Sequence, residues 1–302
     1  LVAMLSLGTD LGLGQPMEHI MRQTTIALRF ANRLGLDDSE RATVYYSGLL
    51  AWVGCHTDAY EQAKWFGDDI ALKSDAMVDD RLPAILSHLG SGRPLLERAR
   101  TVFGFLREGR RDAMEMLLTH YLATDALAGE LGLSGEMREA LGQNYERWDG
   151  KGPMGRKGGD ICVSSRLVNL ADVAEVFHRS GGVEAAIAVA RKRSGSQFDP
   201  ELVQLFCDEA ETLLADLDEA SRWNEVIAAE PMLGIMLTDD EFEAALAAIG
   251  DFADLKSPWT IGHSRAVAEL AATAALAYGL PEDDAVLLRR AGYVDIPSIM
   301  PR

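Results

Sequence analysis

An internal repeat constrains the fold of this chain more than any other feature. Residues 9–36 (TDLGLGQPMEHIMRQTTIALRFANRLGL) align with residues 253–280 (ADLKSPWTIGHSRAVAELAATAALAYGL), and every matched pair lies 244 positions apart. In both segments a capped start precedes one histidine, His19 or His263, at the head of an amphipathic helix. A Gly-Leu pair then ends that helix. The sequence therefore predicts two copies of one helical module, of which the second begins near residue 240.

Helix-forming residues dominate the whole chain. Ala, Leu, Glu, Arg and Met are frequent, whereas the alternation of β-branched residues that is typical of strands is scarce. Gly279 is placed to end one helix and Pro281 to start the next, and Asp199-Pro200 reads as an N-cap followed by the first helical residue. We expect an all-α protein. Its expected parts are a first module over 1–215, an acidic helical connector over 216–250, and the N-terminal part of a second module over 251–302.

The charge of the chain limits its partners. The 302 residues include 29 Lys and Arg against 47 Asp and Glu, which gives a formal net charge of −18. Nucleic-acid binding needs clustered cations, so we expect no direct nucleic-acid contact by this segment.

Three cysteines without metal-type spacing indicate a reducing compartment. No apolar run is long enough to span a bilayer, and the N-terminal stretch lacks the features of a signal peptide. We expect a cytoplasmic protein without a membrane partner.

Three segments carry a resemblance to a known family. HSRAVAELAATAALAYGLPEDDAVLLRRAGYV has one histidine at the head of the first helix of a pair. NYERWDGKGPMGR matches a loop that the family writes His-His-Glu-Arg-Trp-Asp-Gly-x-Gly-Tyr-Pro, and GSQFDP matches its Gly-x-Gln-Phe-Asp-Pro signature. The chain thus resembles the HD-GYP subfamily of HD-domain metal-dependent phosphohydrolases, over nearly all of 9–210 and over 252–294.

The resemblance implies a fold and a chemistry. The fold would be an HD-domain helical bundle, and the activity that of a cyclic-di-GMP phosphodiesterase or a related metal-dependent phosphohydrolase. In such a site, imidazoles and carboxylates from several helices hold two or three Fe or Mn ions. The metals polarise a phosphodiester and activate a bound water. The implied partner is a cyclic dinucleotide or a related phosphoester, and a homodimer is an open alternative to a monomer.

The first copy keeps only part of the ligand set that the resemblance implies. His19, His120 and Asp172 match the first histidine, a later histidine and the last aspartate of the family. The adjacent His-Asp pair should fall where Ala51-Trp52 stand, and Asn144-Tyr145 replace the His-His pair of the loop. Ala and Trp cannot bind a metal, and Asn or Tyr substitutes poorly for imidazole. We expect the first copy to be non-catalytic, with no metal of its own as one alternative.

The second copy keeps His263 as a candidate ligand. Its His-Asp pair should follow Val294, where only Asp295 precedes Ile296-Pro297. Two interpretations stay open: the pair is degraded, or residues that belong there are missing from the sequence. Any activity would reside in this second copy, with His263 and Asp295 as metal ligands.

A regulatory function is the alternative to an enzymatic one. The first copy would then be a ligand-sensing or dimerisation module that controls an attached domain, such as a helix-turn-helix transcription regulator. The Gly-rich stretch 150–159 is not a phosphate-binding loop, because it lacks the Gly-Lys-Ser/Thr ending and a preceding strand. We expect Trp148-Asp149-Gly150 to be a structural turn, in which Asp149 bonds backbone amides and Gly150 adopts a positive φ.

Overall fold

Helices make up the computed structural model, which describes residues 1–57, 89, 94–217, 221–231, 237–255 and 257–294. Within these ranges there is no strand beyond an isolated bridge between Ser194 and Phe198. None of the helices there combines the length and hydrophobicity that a membrane span requires. The helices are α1 (Val2–Gly12), α2 (His19–Leu34), α3 (Asp38–Leu49), α4 (Leu95–Glu130), α5 (Gly135–Gly142), α6 (Val163–Arg193), α7 (Pro200–Leu213), α8 (Trp223–Ala228), α9 (Asp239–Asp254), α10 (His263–Tyr278) and α11 (Glu282–Tyr293).

Short-range signals in the sequence set several helix ends. Asp37 caps α3 by accepting a hydrogen bond from the Glu40 amide, and Glu40 accepts one in return from the Asp37 amide. Asp199 caps α7 in front of Pro200, as the sequence predicts. The α6 helix is kinked at Gly181-Gly182, where Gly182 has a φ of 72° that a residue with a side chain rarely adopts.

The core of the first module forms where α6 and α7 cover α2. Ile26 and Phe30 of α2 are fully buried in one cluster with Leu167 and Leu170 of α6. Phe206 of α7 stacks on Phe30 with ring centroids 5.9 Å apart. Full burial of a side chain of this size stabilises the fold by about 1.5–3 kcal/mol. This packing fixes α2 against α6, and the first residue of α2 is His19.

The same capping contact occurs at both copies of the repeat. Asp10, near the end of α1, accepts a hydrogen bond of 3.0 Å from the Ile20 amide at the start of α2. Asp254 ends α9 and accepts one of 2.9 Å from the Ser264 amide at the start of α10. Both residue pairs are 244 positions apart. A carboxylate at a helix N-terminus satisfies a free amide and complements the helix dipole, so each copy has the same helix-turn-helix geometry.

Close helix packing also recurs at the same offset. A Cβ at Gly48 of α3 would come within 2.6 Å of the Thr24 side chain of α2. A Cβ at Gly292 of α11 would come within 2.6 Å of the Ala268 Cα in α10. Glycine at these positions lets the second and third helices of each copy approach at nearly backbone distance.

The α9 helix packs against both copies. Its Ile249 lies in a buried cluster with Leu5 of α1 and Leu127 of α4, whereas its Leu246 packs with Tyr293 of α11. The predicted connector, 216–250, thus contains α8 and most of α9, and its expected end falls inside a continuous helix. The division into modules stays a proposal, and we place α9 as the first helix of the second module because it is the counterpart of α1.

Candidate metal centre of the first module

His19 lies at the buried end of α2 and contacts two carboxylates of α6. Its imidazole is fully buried, with Nδ1 2.6 Å from Glu175 Oε2 and Nε2 3.1 Å from Asp172 Oδ1. Asp172 and Glu175 are three residues apart, so they project from the same face of α6. Both ring nitrogens of His19 are therefore engaged by protein carboxylates.

These carboxylates keep His19 protonated. Burial alone would lower the pKa of His19, but the hydrogen bonds and negative charges of Asp172 and Glu175 outweigh it and raise the pKa from 6.5 to about 10. For Glu175, burial alone would raise the pKa, but the bond to His19 and the positive charges around it lower the pKa to about 2. Those charges include Arg22, whose Nε donates to Glu175 Oε1 at 2.6 Å, and Arg179 at 3.5 Å.

A buried aspartate stands beside this cluster. Asp10 uses Oδ1 to cap α2, and burial raises its pKa to about 7 although the His19 charge opposes the shift. Its counterpart Asp254 has both oxygens bonded, since it accepts from the amide and from the hydroxyl of Ser264. Oδ2 of Asp10 is thus buried without a hydrogen-bond partner among the described residues, whereas both oxygens of Asp254 are bonded.

Two aromatic residues occupy positions where the family has metal ligands. The Trp52 indole donates to Asp172 Oδ1 at 3.2 Å and to Gln23 Oε1 at 3.3 Å. Tyr145 packs edge-to-face on Trp52, with ring centroids 5.5 Å apart. Asn144, the other loop substitution, is buried and donates to the Ser47 carbonyl at 3.1 Å. At these positions the indole of Trp52 and the amide nitrogen of Asn144 bond to protein oxygens, and Tyr145 packs on Trp52.

His120 lies on the far side of the aromatic pair. It is buried on α4, with its ring centroid 5.9 Å from that of Tyr145 and its Nδ1 4.0 Å from Cys55 Sγ. A chain of contacts runs from His19 through Asp172, Trp52 and Tyr145 to His120. The structure thus brings His19 and Asp172 together and places His120 in a separate contact, with Cys55 and Tyr145.

The metal that the family implies does not fit the first module. A metal ligand must be an unprotonated imidazole or a carboxylate that can turn to the ion. Both nitrogens of His19 already face carboxylates, and these carboxylates raise its pKa. Within the part of the chain that the structure describes, no group of three or more His, Cys, Asp or Glu is arranged to hold a metal ion.

His263 has a different environment from its counterpart. It begins α10 after the left-handed Gly262, as His19 begins α2 after the left-handed Glu18. His263 is half-buried, whereas His19 is fully buried. Asp295, the other ligand expected in the second module, lies outside the described residues.

The Trp-Asp-Gly turn is structural, which confirms the prediction for it. The amides of Trp148 and Asp149 donate to the backbone carbonyls of Gln197 and Ser196, which joins the turn to the GSQFDP segment. Asp149 accepts from the Lys151 amide at 3.2 Å, and Gly150 has a φ of 77°.

A buried carboxylate holds the loop that follows this turn. Glu146 accepts from the Met154 amide at 2.6 Å and from the Arg156 amide at 2.8 Å. The loop is therefore bonded to the first module at both ends, by backbone at the turn and by Glu146 beyond it.

Glu175 and Arg22 are part of this site but are not among the residues predicted from the sequence. A signal for them was present, because Asp172 and Glu175 on α6 and His19 and Arg22 on α2 each have the i, i+3 spacing of residues on one helix face.

Comparisons with known proteins give the family. No model of a known protein family matches the chain. It is 30% identical over 300 residues to a 3'3'-cGAMP-specific phosphodiesterase 3 from Vibrio cholerae, a match that covers 95% of this chain and 65% of that protein. A crystal structure of a cyclic GMP-AMP specific phosphodiesterase of V. cholerae superimposes with a TM-score of 0.75 at 30% identity, over 98% of this chain and 70% of that one. The chain belongs to the HD-GYP family of metal-dependent phosphohydrolases.

A second HD-GYP relative matches a shorter part of the chain. A probable cyclic di-GMP phosphodiesterase of V. cholerae is 28% identical over 154 residues, 49% of this chain and 30% of the relative. These matches confirm the predicted all-α HD-type fold. Membership of the HD-GYP family implies a divalent-metal requirement. Because the chain spans less than two thirds of the curated relatives' length, the activity of the whole protein is a matter for proposal.

Proposed function

We propose that the protein is a cyclic dinucleotide phosphodiesterase in which residues 1–215 form a non-catalytic scaffold and His263 heads the catalytic module. The main support is the contrast between the environments of the two matched histidines. His19 is fully buried with both ring nitrogens on carboxylates, whereas His263 is half-buried. A ring nitrogen must be unprotonated to bind a metal, and the carboxylates beside His19 raise its pKa.

The relatives support the reaction class. The similar proteins are phosphodiesterases for 3'3'-cGAMP and, in one probable case, for cyclic di-GMP. We extend cyclic dinucleotides as a substrate class to this protein, with Fe or Mn in the second module. There the metal would supply an activated water and a polarised phosphodiester. His263 is the one described residue that we assign to it.

Metal content and hydrolysis together test the proposal. Protein prepared with Mn or Fe(II) is analysed for bound metal and assayed with 3'3'-cGAMP and cyclic di-GMP. The variants are His263→Ala and His19→Asn, each used only where its helical circular dichroism matches the parent. We expect His263→Ala to lose metal and activity and His19→Asn to keep both.

Two outcomes would contradict different halves of this proposal. Metal lost with His19→Asn and kept with His263→Ala would show that the first module is the metal centre. A protein that binds no metal and hydrolyses neither dinucleotide would refute the catalytic role of the second module and leave the non-catalytic first module intact.

Ligand sensing by the first module finds less support. A cleft of about 210 Å³ opens beside the 150–159 loop. Its arginines, Arg138 and Arg156, already face Asp125 at 2.6 Å and Glu139 at 2.9 Å. An anionic nucleotide would have to displace these carboxylates, so we favour a scaffold over a nucleotide sensor. The homodimer and an attached regulatory domain stay predictions.

A further inference from the structure

An exposed tryptophan stands on the turn that leads into His263. Trp259 is 89% exposed, the highest value among the large apolar side chains that the structure describes. Its counterpart 244 positions earlier is Gln15, which is buried and accepts a hydrogen bond of 2.7 Å from Arg179 of α6. The two copies therefore differ at this position: the first has a buried polar residue, and the second presents an indole ring to solvent.

Hydrogen bonds of the next residue hold the backbone of this turn. The Thr260 hydroxyl lies 2.7 Å from the Asp254 carbonyl oxygen and 2.8 Å from that of Ser257. The Thr260 carbonyl accepts a hydrogen bond of 2.9 Å from the His263 amide. Trp259 is thus held one turn before the candidate metal ligand, between the end of α9 and the start of α10. A ring on a fixed backbone loses little conformational freedom when a ligand stacks on it.

The first charged side chain of α10 after His263 is already paired. This residue, Arg265, donates from Nη2 to Asp251 Oδ2 at 2.6 Å, and the whole chain has a formal net charge of −18. Stacking of a nucleobase on an aromatic ring needs no positive charge, because every base has a π face. Tryptophan offers a large ring for this contact. The turn therefore fits a contact with a base better than a contact with a phosphate.

We propose that Trp259 stacks on one purine base of a cyclic dinucleotide and so strengthens binding of the substrate. The inference rests on the proposed function, in which His263 holds the metal that acts on the phosphodiester. A cyclic dinucleotide joins its two bases through one small ring of sugars and phosphates, so a base lies close to whichever phosphate is cleaved. A residue one turn from His263 lies in the same region. Trp259 binds the base and takes no part in the metal chemistry.

Heteronuclear NMR of the tryptophan indole groups tests the contact directly. The 302-residue chain, with a chelator present to stop hydrolysis, is titrated with cyclic di-GMP or with ribose 5-phosphate, which carries a phosphate but no base. The spectrum of Trp259→Phe identifies the indole signal of Trp259. We expect this signal to shift with cyclic di-GMP and to stay unchanged with ribose 5-phosphate.

Two variants and one control measure the effect on affinity. Trp259→Ala should raise the Kd of cyclic di-GMP, measured by calorimetry with the chelator present, by about tenfold or more, because it removes the stacked ring. Trp259→Phe keeps an aromatic ring and should raise the Kd by less than about threefold. Tyr278→Ala removes a ring that is 86% exposed at the far end of α10 and should leave the Kd unchanged. In the hydrolysis assay with metal, Trp259→Ala should raise KM and leave kcat within about twofold.

Other results overturn the proposal in distinguishable ways. An indole signal that responds equally to ribose 5-phosphate, or to neither ligand, would refute base stacking. An unchanged Kd and KM in Trp259→Ala would refute the role of Trp259, while hydrolysis by the parent would still uphold the proposed function. A Trp259 signal that changes with protein concentration and not with ligand would assign the indole to contact with a second copy instead. A protein whose Trp259 signal responds to cyclic di-GMP but that hydrolyses no cyclic dinucleotide would uphold the stacking contact and refute the proposed function.

Discussion

Removal of the buried imidazole of His19 tests whether a protonated histidine supplies the positive charge of the first module. His19→Ala leaves Asp172 and Glu175 buried without this cation. Breaking a buried ion pair by removing one partner costs about 3–5 kcal/mol. Glu175 retains Arg22 at 2.6 Å, and Asp172 retains the Trp52 indole at 3.2 Å. We therefore expect the lower end of the range, a loss of about 3 kcal/mol in the free energy of unfolding.

The raised pKa of His19 leads to a similar value for this loss in the free energy of unfolding. In the folded protein the pKa is raised from 6.5 to about 10, and each unit corresponds to about 1.4 kcal/mol. Because the folded-state pKa is the higher one, the stabilisation is complete below about pH 6.5 and is lost as the pH rises through about 10. At pH 7 most of it is present, so the result is again a few kcal/mol.

Denaturant unfolding at pH 7, followed by circular dichroism, measures the loss. Arg33→Ala is the matched control, since Arg33 lies on the same helix and pairs with Glu209 at 2.7 Å on the surface. An exposed pair of this kind contributes about 1 kcal/mol or less. Combining His19→Ala with Glu175→Gln should recover part of the loss, with a coupling energy of about 1–3 kcal/mol.

A small effect would refute the reasoning. If His19→Ala costs no more than Arg33→Ala, the imidazole is not the buried charge partner of α6. Additive losses in the His19→Ala, Glu175→Gln double variant would likewise show that the two side chains do not interact as the 2.6 Å contact indicates.

Three further results are expected. The ring nitrogens of His19 should keep imidazolium chemical shifts from pH 5.5 to 8.5 in NMR spectra, and titration near pH 6.5 would contradict the raised pKa. Gly292→Ala should lower the free energy of unfolding by about 1–3 kcal/mol, because the new methyl group would clash with the α10 backbone. An unchanged denaturation midpoint would contradict this prediction. Glu146→Ala should speed tryptic cleavage in the 150–159 loop, because Glu146 bonds two amides of that loop. Glu139→Ala removes only an exposed partner of the loop and should leave the cleavage rate unchanged. Equal cleavage rates in the two variants would contradict the role of Glu146 in holding the loop.

Local patterns predicted most of the fold. Asp199 before Pro200 predicted a helix start, and the structure has it. The repeat predicted that equivalent residues would have equivalent roles. The capping contacts of Asp10 and Asp254 agree with that expectation. These features depend on residues close in sequence, where spacing alone decides which atoms can meet.

The content of the site was less predictable. The absence of the family's metal ligands at Ala51-Trp52 and Asn144-Tyr145 can be read from the sequence. The contacts that these residues make instead depend on which helices pack together. Spacing places Glu175 on the same helix face as Asp172, yet only the packing of α6 on α2 shows that this face meets His19. Contacts across more than 150 positions lie beyond what periodicity can determine.

The substituted ligand positions and the buried ion pair of the first module are consistent with each other. Carboxylates at a buried helix face need a positive charge, which a metal supplies in an active site. Here protonated His19 supplies it at Asp172 and Glu175, while Trp52 occupies a ligand position and donates to Asp172. A carboxylate restored at position 52 alone would add negative charge and leave both nitrogens of His19 engaged. In the proposed scaffold, the charges of this buried site are balanced by the module's own side chains, which is also why the site is unsuited to a metal.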